Sequence, residues 1–407
     1  MLLSSDFEVR GPVRSSMEFH LQKRAINSFA QREVVHEDGL ADSGEYVFEI
    51  EQTADGSGYL SSMSDYTITL ASSEELRTIA KVKAHTATIN RIECSKNSPH
   101  LLVSAADDQW VYGWDTRSFN TGPVFGIKHS QEVSAVSLGL NGSLLASAYE
   151  STVSFHDVRF FDGSQHNSMN RPKALGAHND AHSDTITQLK FHPTQSNILA
   201  SASEDNLICT FDVSVADVEE SVVSTFNTES PVARFGYFGE DYSAIYALST
   251  NETLSFWHHS SAQRLAEFSS LREQLSMDYL VDCFSAPGSN DIYLLAGDHS
   301  GKGVVAQMLP TSYNVVGSLQ NGHGATIRCS SASFSTSSNG TPVLKIVTGG
   351  EDARLCCWNS QQPSAVSTAA PVTQSHNSNG AAKGPAPHRQ VGNMKAKKGN
   401  DLRFKPY

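Results

Sequence analysis

A motif written three times constrains this chain more than any other feature. Leu101–Asp115 (LLVSAADDQWVYGWD), Ile198–Asp212 (ILASASEDNLICTFD) and Lys345–Asn359 (KIVTGGEDARLCCWN) superimpose without a gap. Each starts with apolar and small residues, meets an acidic pair, alternates again, and ends on an aromatic followed by a polar residue. The second acid precedes the aromatic by six positions each time: Asp108 to Trp114, Asp205 to Phe211, Asp352 to Trp358. Alternation with period two on both sides of a short acidic segment predicts two β-strands joined by a tight turn, each burying one face. A histidine lies upstream of every copy, at His85, His182 and His323. His85 to Asp115 and His182 to Asp212 span 30 residues; His323 to Asn359 spans 36, because Ser330–Asn339 holds a Ser-rich insertion.

Weaker copies fill the gaps, ending at His156-Asp157, at Phe256-Trp257, around Asp298 and over Tyr46–Leu70. Positions equivalent to the aromatic fall near 71, 114, 156, 211, 257, 306 and 358. This pattern resembles the WD40-repeat family, whose blades of four strands recur about every 40–45 residues. Four strands cannot bury both faces alone, so blades must stack in a ring. The expected fold is therefore all-β, a seven-bladed WD40 β-propeller. Closure needs a strand from one terminus, otherwise an edge stays unpaired. The residues after Trp358 turn polar at once, which points to a closing strand from the N-terminal side, within Ala25–Val35. The domain reading is an N-terminal extension over 1–24, the propeller over 25–360, and a disordered basic tail over 361–407. Phe161–Ala177 reads as a long surface loop.

In that family the histidine, a Ser or Thr on the second strand, the turn Asp and the Trp form a hydrogen-bonded relay. The resemblance implies two full sets here: His85, Ser104, Asp108 and Trp114; and His323, Thr348, Asp352 and Trp358. A third set, His182, Ser201 and Asp205, meets Phe211, which has no indole N–H. A buried carboxylate needs donors, and the imidazole and hydroxyl supply them. The same grouping recurs once per blade, so it reads as structural and not as a catalytic triad. Gly297-Asp298-His299-Ser300-Gly301-Lys302-Gly303 lacks the spacer and final Ser/Thr of a phosphate loop and reads as a hairpin turn. No H-E-x-x-H or other metal spacing occurs among the sixteen histidines. The chain reads as a non-enzyme with no catalytic, cofactor or metal site.

Charge directs attention to partners. Of the net −13, residues 361–407 hold seven Lys/Arg against one acid, leaving −19 on residues 1–360. An acidic body argues against gripping nucleic-acid phosphates directly and suits a basic protein or peptide. The acids before the relay Asp, namely Asp107, Glu204 and Glu351, are expected near one rim. No run of about 18 apolar residues suggests a membrane span. The N-terminus has no signal-peptide core, and six cysteines without a C-x-x-C pair suit a reducing compartment. The expectation is a monomeric ring in the nucleus, the cytoplasm or both, with Lys395-Ala396-Lys397-Lys398 as a candidate import cluster.

Leu175–Asp212 and Ser318–Trp358 resemble, more narrowly, the WD repeat-containing protein 89 family, which implies seven blades and little firm biochemistry. A second resemblance carries a partner. Trp114-Asp115-Thr116-Arg117 and His156-Asp157-Val158-Arg159 end successive repeats. They resemble the W-D-x-R signature of cullin-4 ubiquitin-ligase substrate receptors, which dock on damaged-DNA-binding protein 1. That resemblance implies Arg117 and Arg159 as docking residues on the underside, with His156 departing from the signature. The leading expectation is a scaffold or adaptor that binds protein partners on its rim; the alternative is the ligase receptor.

Overall fold

The acidic turns are built by a shared local device. In five hairpins an Asp or Asn side chain accepts the backbone N–H two residues on. Asp65 accepts from Thr67 (3.1 Å), Asp108 from Trp110 (3.2 Å) and Asp205 from Leu207 (3.0 Å). Asn251 accepts from Thr253 (3.3 Å) and Asp352 from Arg354 (3.2 Å). The residue between them is left-handed each time: Tyr66, Gln109, Asn206, Glu252 and Ala353, with φ from 56° to 73°. The side-chain bond stabilises a backbone region that L-residues otherwise avoid, and the short turn fixes hairpin register.

The computed structural model describes residues 18–26, 45–139, 142–159, 172–179, 181–336 and 342–361. Within these, the hairpins assemble into seven antiparallel sheets of four strands. From inner to outer strand, blade 1 runs from Val47–Gln52 to Thr78–Lys83 and blade 2 from Ile89–Cys94 to Phe125–Lys128. Blade 3 runs from Ala135–Leu138 to Lys173–His178, and blade 4 from Ile186–Phe191 to Val222–Asn227. Blade 5 runs from Val232–Phe238 to Arg264–Phe268, and blade 6 from Tyr279–Ser285 to Tyr313–Leu319. Blade 7 takes Ile327–Thr336, Pro342–Gly350 and Arg354–Gln361 from the C-terminal side and Glu18–Ile26 from the N-terminal side. Each inner strand meets the inner strands of its neighbours, and that of blade 7 meets that of blade 1. The ring is a seven-bladed β-propeller.

The closing strand corrects the expected position. It is Glu18–Ile26, so residues 18–24 belong to the ring, and only Ala25 and Ile26 fall inside the expected Ala25–Val35. The sequence hides it because a register shift between Leu21 and Lys23 breaks the alternation. Phe19 and Leu21 pack against the cluster holding Trp358, Ile346 and Leu319. The expected 161–177 loop is also too long, since Lys173–His178 is the outer strand of blade 3. The Ser-rich insertion lengthens a hairpin, pairing as far as Thr336 with Pro342. Expectations for the tail beyond Gln361, the Lys395–Lys398 cluster included, lie outside the described residues.

The core lies between blades. Leu60 and Ile68 of blade 1 pack on Ile92, Leu102 and Trp114 of blade 2; Phe226 of blade 4 packs on Phe235 and Trp257 of blade 5. Trp114 and Trp358 are almost wholly buried. Full burial of such side chains contributes a few kcal/mol each, so stacking, not any blade alone, holds the ring.

Candidate functional site

The structure brings the three histidine sets together within their blades. His85 Nδ1 lies 3.0 Å from Asp108 Oδ1, its Nε2 lies 2.7 Å from Ser104 Oγ, and Trp114 Nε1–H donates to the same Oγ at 2.9 Å. His323 repeats this with Asp352 (3.0 Å), Thr348 (2.8 Å) and Trp358 (2.8 Å). His182 meets Asp205 (3.0 Å) and Ser201 (2.7 Å), and the chain ends there because Phe211 has nothing to donate. The carboxylates also take backbone donors from the preceding connection: Thr86 to Asp108 (2.9 Å), Ser183 to Asp205 (2.9 Å) and Gly324 to Asp352 (2.8 Å). Burial holds the His85 and His182 imidazoles below their ordinary range, so they sit neutral with Nδ1–H toward Asp. The serine proton then points to Nε2, and Trp N–H fills the remaining lone pair. Each group spends its hydrogen-bonding capacity on its own blade.

Strand pairing separates the two rims. Leu101 pairs with Asp115, at the end of the hairpin remote from Asp108. The relay turns therefore mark one rim, and Arg117 and Arg159 lie on the other. Of the three rim acids read from the sequence, Asp107 accepts from Asn90 Nδ2 (2.5 Å) and Glu351 pairs with Arg328. Glu204 stands exposed. Two acids that the sequence reading passed over, Glu150 and Asp184, are exposed beside it on blades 3 and 4. Arg328 thus neutralises Glu351 on blade 7 and Asn90 holds half-buried Asp107 on blade 2, while the acids of blades 3 and 4 face solvent.

On the opposite rim the two arginines repeat one geometry. Arg117 N (2.9 Å) and Nε (3.0 Å) both donate to Asp115 Oδ1, and Arg159 N (3.0 Å) and Nε (3.0 Å) to Asp157 Oδ1. Nη2 of each reaches the second oxygen. The Arg117 and Arg159 side chains remain 58% and 69% exposed. The Asp of each W-D-like pair therefore aims an arginine that still faces solvent.

The polar lining of the central channel was not foreseen. Inner strands carry polar side chains that accept the backbone N–H of the next blade: Glu49 from Ile92 (2.6 Å), Glu93 from Leu138 (2.9 Å), Ser137 from Phe191 (3.1 Å) and Gln188 from Phe235 (2.8 Å). Tyr279 Oη accepts from Ile327 N at 2.7 Å between blades 6 and 7. The links enclose a cavity of about 440 Å³ lined by inner strands of the ring. Its walls carry Glu49, Glu51, Glu93 and Asp282 beside Arg91, Lys190 and Arg234. Burial, with help from Glu49 and Glu93, pushes the Glu51 carboxyl up to about 8; burial also takes Glu93 to about 7. A sequence signal existed, since charge recurs two residues after the first apolar position in Val47-Phe48-Glu49, Ile89-Asn90-Arg91 and Val232-Ala233-Arg234.

Comparison with known proteins agrees with this geometry. Residues 76–115 and 175–212 match the family model WD domain, G-beta repeat. WD repeat-containing protein GTS1 of Arabidopsis thaliana is 30% identical over 378 residues, covering 86% of this chain and 92% of that protein. The chain belongs to the WD40-repeat family. WD repeat-containing protein 89 homolog of Dictyostelium discoideum is 27% identical over 317 residues, covering 74% and 82%. A GATOR2 complex protein of Drosophila melanogaster is 26% identical over 159 residues, covering 38% of this WD40 chain and 15% of that protein. The two family-model matches end at Asp115 and Asp212, the ends of two of the three motif copies. The less regular WD40 blades lie outside those matches.

Proposed function

We propose that this WD40 ring is a non-enzymatic scaffold or adaptor that holds a basic protein or peptide on its relay-turn rim. The exposed acids Glu150, Asp184 and Glu204 on neighbouring blades carry this reading. Opposite-sign surfaces steer encounter and choose partners, and loops on a rigid ring present them without ordering cost. The relay His–Ser–Asp groups have their hydrogen bonds satisfied within the blade, which supports a structural role for them. The six cysteines are free thiols, which supports a reducing compartment, nucleus or cytoplasm. The test is affinity purification with mass spectrometry, comparing wild type with the triple variant Glu150→Lys, Asp184→Lys and Glu204→Lys. Basic proteins captured by wild type should be lost from the variant. An unchanged capture profile sinks the reading.

A second reading is favoured by one observation: Arg117 and Arg159 repeat the same Asp-aimed, solvent-facing geometry on adjacent blades. In it the opposite rim docks on damaged-DNA-binding protein 1 and the ring serves as a cullin-4 substrate receptor. Arg117→Ala with Arg159→Ala should then abolish co-purification of that adaptor while leaving capture by the acidic rim intact. Adaptor recovery equal to wild type removes this reading alone.

A further inference from the structure

The central channel holds charges that the fold does not pair. Arg91 is engaged with Glu49. The Gln188 amide is spent on Phe235, accepting from its N–H and donating to its carbonyl. Asp282 accepts from Tyr246 Oη (2.9 Å) and Cys283 N (2.8 Å). Of the other cations in the lining, Lys96 is exposed; Lys190 and Arg234 are half-buried, and among the described residues neither Lys190 Nζ nor the Arg234 guanidinium has a hydrogen-bond or ion-pair partner. They sit on adjacent blades, 4 and 5. Tyr237 lines the same cavity, is only 9% exposed, and its Oη has no partner.

These three groups share one chemistry, because an ammonium, a guanidinium and a phenol all donate. Uncompensated charge enclosed by protein is costly, and an unmade buried hydrogen bond costs about 1–3 kcal/mol. Of the carboxyl groups across the channel, Glu49 is taken by Arg91 and Glu51, raised to about 8, is mostly protonated at neutral pH; Asp282 favours the charged forms of both cations through space but forms an ion pair with neither. The cavity of about 440 Å³ lies within the range of small-molecule sites, roughly 300–1,000 Å³. We infer that the channel is a binding site for a small oxyanion, a phosphate- or carboxylate-bearing molecule held by Lys190 and Arg234 with Tyr237 as a third donor. This goes beyond the partner-holding role and uses none of the rim side chains, so either reading can fail without the other.

The test is calorimetric titration of the full chain with pyrophosphate and, separately, citrate, at constant ionic strength. Wild type should bind at least one of them saturably. Lys190→Met and Arg234→Gln should each weaken that binding at least tenfold, whereas Lys302→Met, in the exposed hairpin of blade 6, should bind as wild type. Pyrophosphate alone identifies phosphate as the ligand group; citrate alone identifies carboxylate. No saturable binding of either, or binding that survives both channel variants, overturns the site. Melting without ligand guards the result. An unpaired cation predicts that Lys190→Met melts at or above the wild-type temperature; a variant that fails to fold shows that Lys190 serves the fold instead and equally overturns the inference.

Discussion

Blades 2 and 5 share a backbone and almost none of the side-chain network. Blade 2 joins His85, Ser104, Asp108 and Trp114 in one relay. Blade 5 has Ala247 where blade 2 has Ser104, and Asn251 where it has Asp108. Its tryptophan is kept, and Trp257 Nε1–H donates to Ser255 Oγ at 2.8 Å. Ser255 pairs directly with Ala247, so the hydroxyl has moved one strand across while the indole bond survives. What persists in both is the turn: Asp108 and Asn251 each accept the N–H two residues on. A blade therefore needs the turn bond and an apolar face for its neighbour. The relay is an added tie between the turn and the connection that precedes the blade, and blade 5 does without it.

The largest expected effect follows from that division. Asp108→Ala removes bonds to His85, Thr86 N and Trp110 N together, whereas Asn251→Ala removes one turn bond. Hydrogen bonds to a charged group contribute about 1.5–3 kcal/mol. We expect a loss of about 3 kcal/mol for Asp108→Ala and about 1 kcal/mol for Asn251→Ala. Hydrogen exchange resolved by blade is the measurement, because a ring of repeats need not unfold in one step. Equal losses would mean that the relay adds nothing to the turn.

A smaller difference separates two blades that both keep the histidine. Ser104→Ala orphans His85 Nε2 and Trp114 Nε1 at once. Ser201→Ala orphans only His182 Nε2, since Phe211 contributes no donor. An unsatisfied buried group costs about 1–3 kcal/mol, so Ser104→Ala should destabilise its blade by about 1 kcal/mol more than Ser201→Ala. The same amide-exchange measurement decides it, and the reverse order would show that the indole finds another acceptor.

How much of this was legible follows from the same contrast. The full relays were readable from sequence because four polar residues at fixed spacing leave a strong mark, and seven units could be counted from it. Even the weak copies were placed: strand registers shift at Leu70/Ala71, Phe155/His156, Thr210/Phe211, Phe256/Trp257 and Val305/Ala306, where the repeats align. The closing strand was misplaced because a bulge interrupts its alternation. The acidic rim was assigned from position alone, and position does not show that Asn90 and Arg328 already use Asp107 and Glu351. The channel went unread because its chemistry exists only when inner strands far apart in sequence face one axis. The recurring charge at Glu49, Arg91 and Arg234 marks the inner strands, but a lone Lys190 inside an alternating strand looks like any solvent-facing residue.

The smallest effect tests blade 3, where the relay survives in part. His129 Nε2 lies 3.1 Å from Ser147 Oγ, but His156 stands where Trp114 does and its buried Nδ1 has no partner. Burial, reinforced by His156, lowers His129 to about 4. The unfolded imidazole takes its proton near pH 6.5, and the folded one holds out to about 4. Folding stability must therefore fall as pH drops through that window, because the unfolded state binds the proton first. Between pH 7 and pH 5.5 the loss at this one site should reach about 1 kcal/mol. His129→Gln keeps a hydrogen-bonding group near Ser147 and cannot titrate, so its blade 3 protection should decline less over the same range. Parallel curves for wild type and variant would show that the proton is taken up elsewhere, and that blade 3 is held by its packing against blades 2 and 4 rather than by what remains of its relay.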